Sequence, residues 1–435
     1  MIICKGILLY GVLDLWSIYL KNVELYFAYL SIIGWVYIMV VNFKEVMFVT
    51  VINSSLVIDL GNSETRIKTI CGVNSNGTRK SKLSVCDNRY ATVTDEELRV
   101  FLSEDNYTDE NSSIFMLNNG TFYCNGDVCS IEKGETCIRP TALEKKYETL
   151  VTKLTIINAF RQGFIDTSEL CGIPLSELNV DWELNLMLPP GDINMGAPKL
   201  ADMAKKITSI NFLIPKMEKP IRIKKVNVFP EGLCAFFGVV FESKGKIRQG
   251  YKHLVDPLES TLILDIGAGT TDILLARGGQ VVQNSRYTKE IGGNNIHRIV
   301  QRRLKEDGIS LPDRVVRTGV NQGYIKSGSR SIDISKYIEE AKERVSRQLV
   351  DGIQEFFESS MISVRTISNV LVCGGGAEVP ENENLKPVSE YILSYMKSIA
   401  PDVRLVDMPK VQYNGAEMRI SPRLLNITGA GILAA

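Results

Sequence analysis

Histidine is nearly missing from this chain. Its 435 residues hold only His253 and His297, so chemistry that needs a histidine base or a cluster of imidazole ligands has little to work with. The nine cysteines fall at irregular spacing, with no repeated Cys-x-x-Cys. Their closest group, Cys124, Cys129 and Cys137, has no histidine nearby, which argues against a zinc motif and for ordinary reduced thiols in a cytoplasmic protein. No sign of charge is in excess either. Fifty basic and fifty acidic residues leave a formal net charge of zero, which excludes a strongly basic nucleic-acid-binding domain. A hydrophobic content of 45% and a charged content of 23% are those of a globular protein, and the length allows two domains.

Long uncharged runs are also scarce, with one exception. Leu25 to Phe43 carries no charge and is long enough to span a bilayer. Read literally, residues 25–43 are a membrane anchor, with Lys44 just after it. A second reading is that residues 1–46 arise from an upstream start site and that the protein begins at Met47 or Val49. Lys44-Glu45-Val46 is what a ribosome-binding sequence would encode if it were translated. On this reading a membrane is a partner only if residues 25–43 are translated. No small-residue cleavage site follows cleanly, so a signal peptide is disfavoured.

What is present is organised around Leu262 to Gly279. The run Leu262-Ile263-Leu264 leads into Asp265. Then come Gly267, Ala268, Gly269, Thr270, Thr271 and Asp272, and a second apolar run, Ile273 to Ala276. Two short apolar runs around a Gly-rich turn predict a hairpin of buried strands. Glycine lets backbone N–H groups approach a ligand, and threonine hydroxyls add donors, a combination suited to phosphate oxygens. An aspartate beside phosphate needs a cation between them, and hydrated magnesium is the natural one. A second copy lies upstream in Leu56 to Thr69, with Asp59, Gly61, Asn62, Ser63 and Thr65 around its turn. A third Gly-rich turn, Gly374-Gly375-Gly376-Ala377, follows the buried run Val370 to Cys373 and leaves room for a flat base and ribose. Alone, Asp59-Leu-Gly-Asn would be an ordinary β-turn. The pair of hairpins predicts a duplicated architecture with one nucleotide between the halves.

These three turns resemble the first phosphate, second phosphate and adenosine motifs of the superfamily of actin, sugar kinases and heat-shock chaperone ATPases. Within it, Val51 to Ala435 most resembles the bacterial actin-like ParM/StbA plasmid-segregation ATPases. The resemblance implies an α/β fold of two lobes, each a mixed sheet with flanking helices, closing on Mg-ATP. It implies lobe I at 47–240, with a small inserted subdomain at about 74–140, lobe II at 241–415, and a closing helix at 416–435 returning to lobe I. Asp59 and Asp265 would hold Mg2+ through water and serve catalysis. Arg66 stands where relatives carry a phosphate-facing Lys. Glu231, with Ala235 and Gly238 at the spacing of the cell-shape MreB proteins, would orient the attacking water. A solvated glutamate at a helix N-terminus is the plainer alternative. Gly292-Gly293 resembles the turn that follows the second phosphate hairpin in the chaperones. Glu339 and Lys342 resemble their adenosine contact, or form an i,i+3 surface pair; Glu343, where the chaperones have Arg, departs from the pattern. Asn426 and Gly429 match an Asn-x-x-Gly that recurs in ParM-like tails.

The function implied is ATP hydrolysis coupled to self-assembly into filaments that move plasmid or phage DNA. With no basic domain, contact with DNA would run through an adaptor protein. Two alternatives remain: a small-molecule kinase of the same fold, and a membrane-tethered scaffold that binds ATP. Local patterns predict a capping box at Thr94-Asp-Glu-Glu97 opening a short helix, a helix from Tyr147 to Gly163, a strand over Val180–Leu188, a helix over Lys199–Ile207, a helix starting after Gly232, and a long helix from Asp333 to Ser359.

Overall fold

The computed structural model describes residues 25–27, 39–41, 51–61, 64–73, 79–103, 112–126, 128–129, 133, 136–141, 144–214, 216–327, 330–378, 386–413 and 416–434. Its frame is two five-stranded sheets of the same design. The first contains β1 (Val51–Asp59), β2 (Glu64–Val73), β3 (Arg79–Asp87), β4 (Asn179–Leu188) and β5 (Arg222–Pro230), in the order β5-β4-β1-β2-β3. β1 to β3 form an antiparallel meander, and β4 and β5 add in parallel on the other side of β1. The second contains β6 (Ser260–Ile266), β7 (Thr271–Arg277), β8 (Gln280–Lys289), β9 (Asn369–Cys373) and β10 (Arg404–Leu405), in the order β8-β7-β6-β9-β10 with the same senses. The expected duplication is therefore visible in the topology. β6 is buried along its whole length, and β1 from Ser54 onward. A strand covered on both faces reads as an unbroken apolar run.

The helices begin and end where local chemistry dictates. The Thr149 side chain accepts from Thr152 N–H to start α1 (Leu150–Cys171), and Gly172, at φ 68°, ends it. α1 lies on the first sheet so closely that a Cβ on Gly163 would come within 2.9 Å of Leu56 and Trp182. α2 (Ile193–Lys205) starts earlier than its apolar spacing suggests and carries Pro198 at its sixth position, where the ring removes the N–H that would otherwise bond the Asn194 carbonyl. The predicted capping box forms, with Thr94 N–H donating to Glu97 and Glu97 N–H to Thr94, ahead of the helix Asp95–Ser103.

The smaller sheet draws on two separate stretches of the chain. Tyr90–Val93, Ser112–Met116 and Phe122–Gly126 come from the expected insert, but Ser209–Ile214 and Met217–Pro220 join them from beyond residue 140. The pairing of Phe212 with Phe115 joins the two segments, a contact no local pattern encodes.

α3 (Leu233–Val240) lies against β6, β7 and β9. The second sheet also carries α4 (Gly293–Glu306), α5 (Asp313–Gln322), α6 (Ser335–Ser360) and α7 (Val388–Ile399). The last helix, α8 (Leu425–Ala434), packs on the first sheet against Val57, Ile70 and Met187. α3 and α8 cross between the two sheets with almost no space. A Cβ on Gly429 would sit 1.7 Å from the Cys234 carbonyl oxygen, and one on Gly238 would sit 2.6 Å from that of Leu425. The Ala235–Gly238 spacing thus has a packing reason as well as a family resemblance.

Among the described residues no helix is long and apolar enough to cross a membrane. Within residues 25–43 the described parts are Leu25–Phe27 and Met39–Val41, paired as antiparallel strands. The rest of that segment lies outside the described residues, as do Asn62 and Ser63.

Candidate functional site

The two hairpins meet. Asp59 ends β1 and Asp265 lies near the end of β6, and both line one cleft of about 260 Å3 together with Gly61, Arg66, Glu231, Gly267, Ala268, Thr270, Gly293, Gly374, Gly375 and Gly376. Residues from both sheets thus share one polar hollow. A Cβ on Gly374 would fall 2.5 Å from an Asp265 carboxylate oxygen, and one on Gly376 would strike Ile266. The third turn is therefore glycine because it lies flat against the second hairpin.

Strand alternation decides which predicted residues reach the cleft. Asp59 pairs directly with Arg66, and Asp265 with Asp272, and residues opposite each other share a face. Arg66 and Asp272 therefore face the cleft, and both line it. Thr65 and Thr271, one residue off, face away. Thr65 donates to Asn88 at 2.5 Å, and Thr271 donates to the Ile291 carbonyl at 2.7 Å, fixing the start of the Gly292-Gly293 turn. Gly292 is buried beneath the second hairpin, where a Cβ would meet the Gly267 carbonyl at 2.6 Å. Gly269 lines an adjoining hollow at the cleft mouth instead, beside Arg89, Arg139 and Arg298. Ala377 is buried in the short turn Gly375–Glu378.

Glu339 and Lys342 do not line the cleft. Lys342, on α6, is fully buried, paired with Glu339 at 2.7 Å and donating to the Lys386 carbonyl. On the side where these two were expected, the cleft is lined by His297 and Asn294 of α4 and by Arg317 and Asn321 of α5. The Glu-x-x-Lys spacing was real, but the bend of the chain between α4 and α6 gives the cleft wall to α5.

The electrostatics are uneven. Arg66 reaches Asp59 at 3.5 Å and also pairs with Glu64. Glu231, at the end of the β5 turn, is paired with Lys146 at 2.7 Å, and both side chains are largely buried. Burial pushes the Glu231 carboxyl up to about 8; Lys146 opposes that shift, and Asp59, Asp272 and Asp265 add to it. Burial works against the Lys146 charge too, but Glu231, Asp59 and Asp272 outweigh it and raise its pKa. Among the described residues Asp265 has no cationic side chain bonded to it. Asn426 of α8 donates to it at 2.6 Å, yet burial pushes its carboxyl up to about 7. Asp272 is also raised by burial, against a hydrogen bond from Thr288 at 2.6 Å. Carboxylates gathered in low dielectric with too few cations are poised to take up positive charge. Among the described residues no three carboxylate, imidazole or thiol groups lie close enough to hold a bare ion, so a divalent metal here would keep its water shell and meet Asp59 and Asp265 through it.

Asn426 does more than hold Asp265. Its side-chain oxygen accepts from the N–H groups of Gly232 and Ala235 at 2.9 and 3.1 Å. It thereby caps α3 from the last helix, so the Asn-x-x-Gly of the tail serves the cleft from a distance. His297 is buried beside the cleft, with neither ring nitrogen bonded among the described residues, and burial lowers its pKa to about 4.

Sequence reasoning missed Glu64, Lys146, Asp272, Asn294, His297, Arg317, Asn321 and Arg423 as cleft residues. Only Asp272 had a signal, its pairing position across the hairpin from Asp265. Lys146 lies in a turn with no motif.

The profile of the family described as archaeal actin homologue MreB-like, C-terminal, matches residues 263–386. Among solved structures, the archaeal actin homologue Ta0583 aligns with a TM-score of 0.59 at 14% identity, covering 87% of this chain and 98% of its own. A ParM filament subunit from Clostridium botulinum aligns at 0.57 and 18% identity, covering 87% and 97%. This chain is actin-like in fold. The actin-like protein Alp7A fits similarly, with a TM-score of 0.62 at 14% identity over 88% of this chain and 96% of its own. No curated protein matches the sequence. The actin-like fold accounts for the two like sheets, the hairpin at the start of each, and a cleft between them.

Proposed function

We propose that this chain binds Mg-ATP in the cleft, hydrolyses it, and assembles with copies of itself into filaments that segregate plasmid or phage DNA through an adaptor protein. The observation that carries the reading is the convergence of Asp59 and Asp265, from equivalent hairpins of two like sheets, on one cleft floored by glycine turns. Two relatives in fold support it by their described states: Ta0583 in complex with ADP, and the Clostridium botulinum ParM as a filament.

Magnesium bound to the triphosphate would supply neutralising charge for the phosphoryl oxygens. Asp59 and Asp265 would hold it through water, with Asn426 fixing the orientation of Asp265. Gly267, Ala268, Thr270 and Gly61 would lie along the phosphates, and Gly374 to Gly376 against the base and ribose. Glu231 would orient the attacking water, and Lys146 would hold Glu231 in place and favour its charged form.

Light scattering of the purified chain with Mg-ATP, alongside a fluorescent-nucleotide titration, tests both halves. Assembly on adding ATP supports the full reading. A protein that binds nucleotide yet stays monomeric at micromolar concentration loses the filament half; one that binds no nucleotide loses both. Glu231→Ala should cut hydrolysis by roughly 100-fold or more and leave nucleotide binding intact.

A further inference from the structure

The small sheet holds three thiols that the cleft does not use. Cys124 lies in the strand Phe122–Gly126, Cys129 follows that strand, and Cys137 lies next to Ile138, which is bridged to Tyr90. The Cys129 and Cys137 sulfurs are 2.9 Å apart, and the Cys137 thiol also lies 3.3 Å from the Cys129 carbonyl oxygen. This approach is fixed by the backbone on both sides. Val128 N–H donates to Ser112 at 3.2 Å, just before Cys129. Ile138 exchanges two hydrogen bonds with Tyr90, at 2.7 and 3.0 Å, just after Cys137. Cys129 is fully buried and Cys137 half-buried, so Cys137 is the more accessible residue of the pair. Cys124 hydrogen-bonds Cys129 from the other side, which lowers the Cys124 pKa and, with burial, raises that of Cys129 well above the ordinary thiol value.

We propose that Cys129 and Cys137 are a reversible disulfide site whose co-reactant is a peroxide. The Cys137 thiolate attacks one peroxide oxygen, the O–O bond breaks, and a sulfenic acid forms with release of one water after proton uptake. The Cys129 sulfur then attacks the Cys137 sulfur, the S–O bond breaks, and a second water leaves. The two thiols lose two protons and two electrons in all, and the peroxide is reduced to two waters. A dithiol reductant reverses the step. The bond ties the chain after Cys129 to the backbone bridge at Tyr90. Cys71 and Cys171, 3.5 Å apart where β2 meets the end of α1, provide an internal comparison: that pair is farther apart, and Cys71 is buried in the core.

The test uses the full chain, reduced, freed of reductant and exposed to stoichiometric hydrogen peroxide. Remaining thiols are blocked with N-ethylmaleimide in denaturant, and the unreduced digest is mapped by mass spectrometry. The expected product joins Cys129 to Cys137, disappears with dithiothreitol, and exceeds the Cys124–Cys129 product by about tenfold. In denaturant both loops are short and close with similar ease, so the two products should come within about threefold of each other. Cys137→Ser should abolish the main product and leave Cys71–Cys171 unchanged; the comparison of native and denatured wild type stands even if that variant fails to fold. Full alkylation of Cys129 after peroxide, or a native preference for Cys124–Cys129, overturns the proposal.

Discussion

The two hairpins have the same topology and opposite electrostatics. In the first, Asp59 faces Arg66 on the paired strand, and the neighbouring Glu231 faces Lys146. In the second, Asp265 faces another carboxylate, Asp272; Asn426 and Thr288 hydrogen-bond the two, and among the described residues neither has an ion-pair partner. One sheet therefore brings its acids to the cleft ion-paired, and the other brings them held by neutral donors. The lesson is that a duplicated fold need not have duplicated roles: the unpaired carboxylates lie on the second sheet, and the first brings the Glu231–Lys146 pair that, in the proposed function, would orient water.

The sharpest way to break this comparison is to neutralise each aspartate in turn. Asp265→Asn should reduce ATP hydrolysis by roughly 1000-fold, the upper range for losing a group that acts on transition-state charge. Asp59→Asn should cost about tenfold less, because Arg66 already balances that carboxylate. Steady-state phosphate release measures both, and equal losses would erase the asymmetry.

Lys146→Met tests the paired side. It should lower hydrolysis by roughly 30-fold, within the range of positioned acid–base groups, with nucleotide affinity nearly unchanged; Lys146→Arg should recover part of the loss. A drop in affinity matching the drop in rate would mean that Lys146 serves binding instead.

Gly429→Ala probes the crossing between the sheets, where the added carbon would lie 1.7 Å from the Cys234 carbonyl oxygen. It should cost about 3 kcal/mol of stability, read by chemical denaturation, whereas Ala at the uncrowded Gly250 should cost far less.

The smallest expected effect concerns pH. His297 has its pKa lowered by burial to about 4, from an ordinary 6.5. The unfolded chain binds its proton first as pH falls, so the folded state loses stability on acidification through the window from 6.5 to 4. From pH 7 to pH 5 the loss is about 2 kcal/mol. His297→Gln should remove that share of the pH dependence, and an unchanged slope would show that the imidazole is solvated.

Much of the site was legible because its signals are local. A strand running into Asp-x-Gly, small residues in the turn, and a triple glycine after a buried strand are short-range requirements of backbone geometry, and they appear in the sequence as such. Lys146 was not legible: nothing in Lys145-Lys146-Tyr147 marks a residue that will meet a glutamate 85 positions later. The same holds for the wall of the cleft, where spacing pointed to Glu339 and Lys342 while the fold placed Arg317 and Asn321 there.

The sequence by itself determined the pair of hairpins, the helix caps and the glycine turns, because each depends on residues within a few positions of one another. Tertiary structure alone decided which carboxylates are ion-paired and which are held by neutral donors, which helix faces the cleft, and that Asn426 bridges α3 to Asp265. Those outcomes depend on how two separately encoded sheets come together, and burial, which sets the charge state of every group between them, exists only after they have done so.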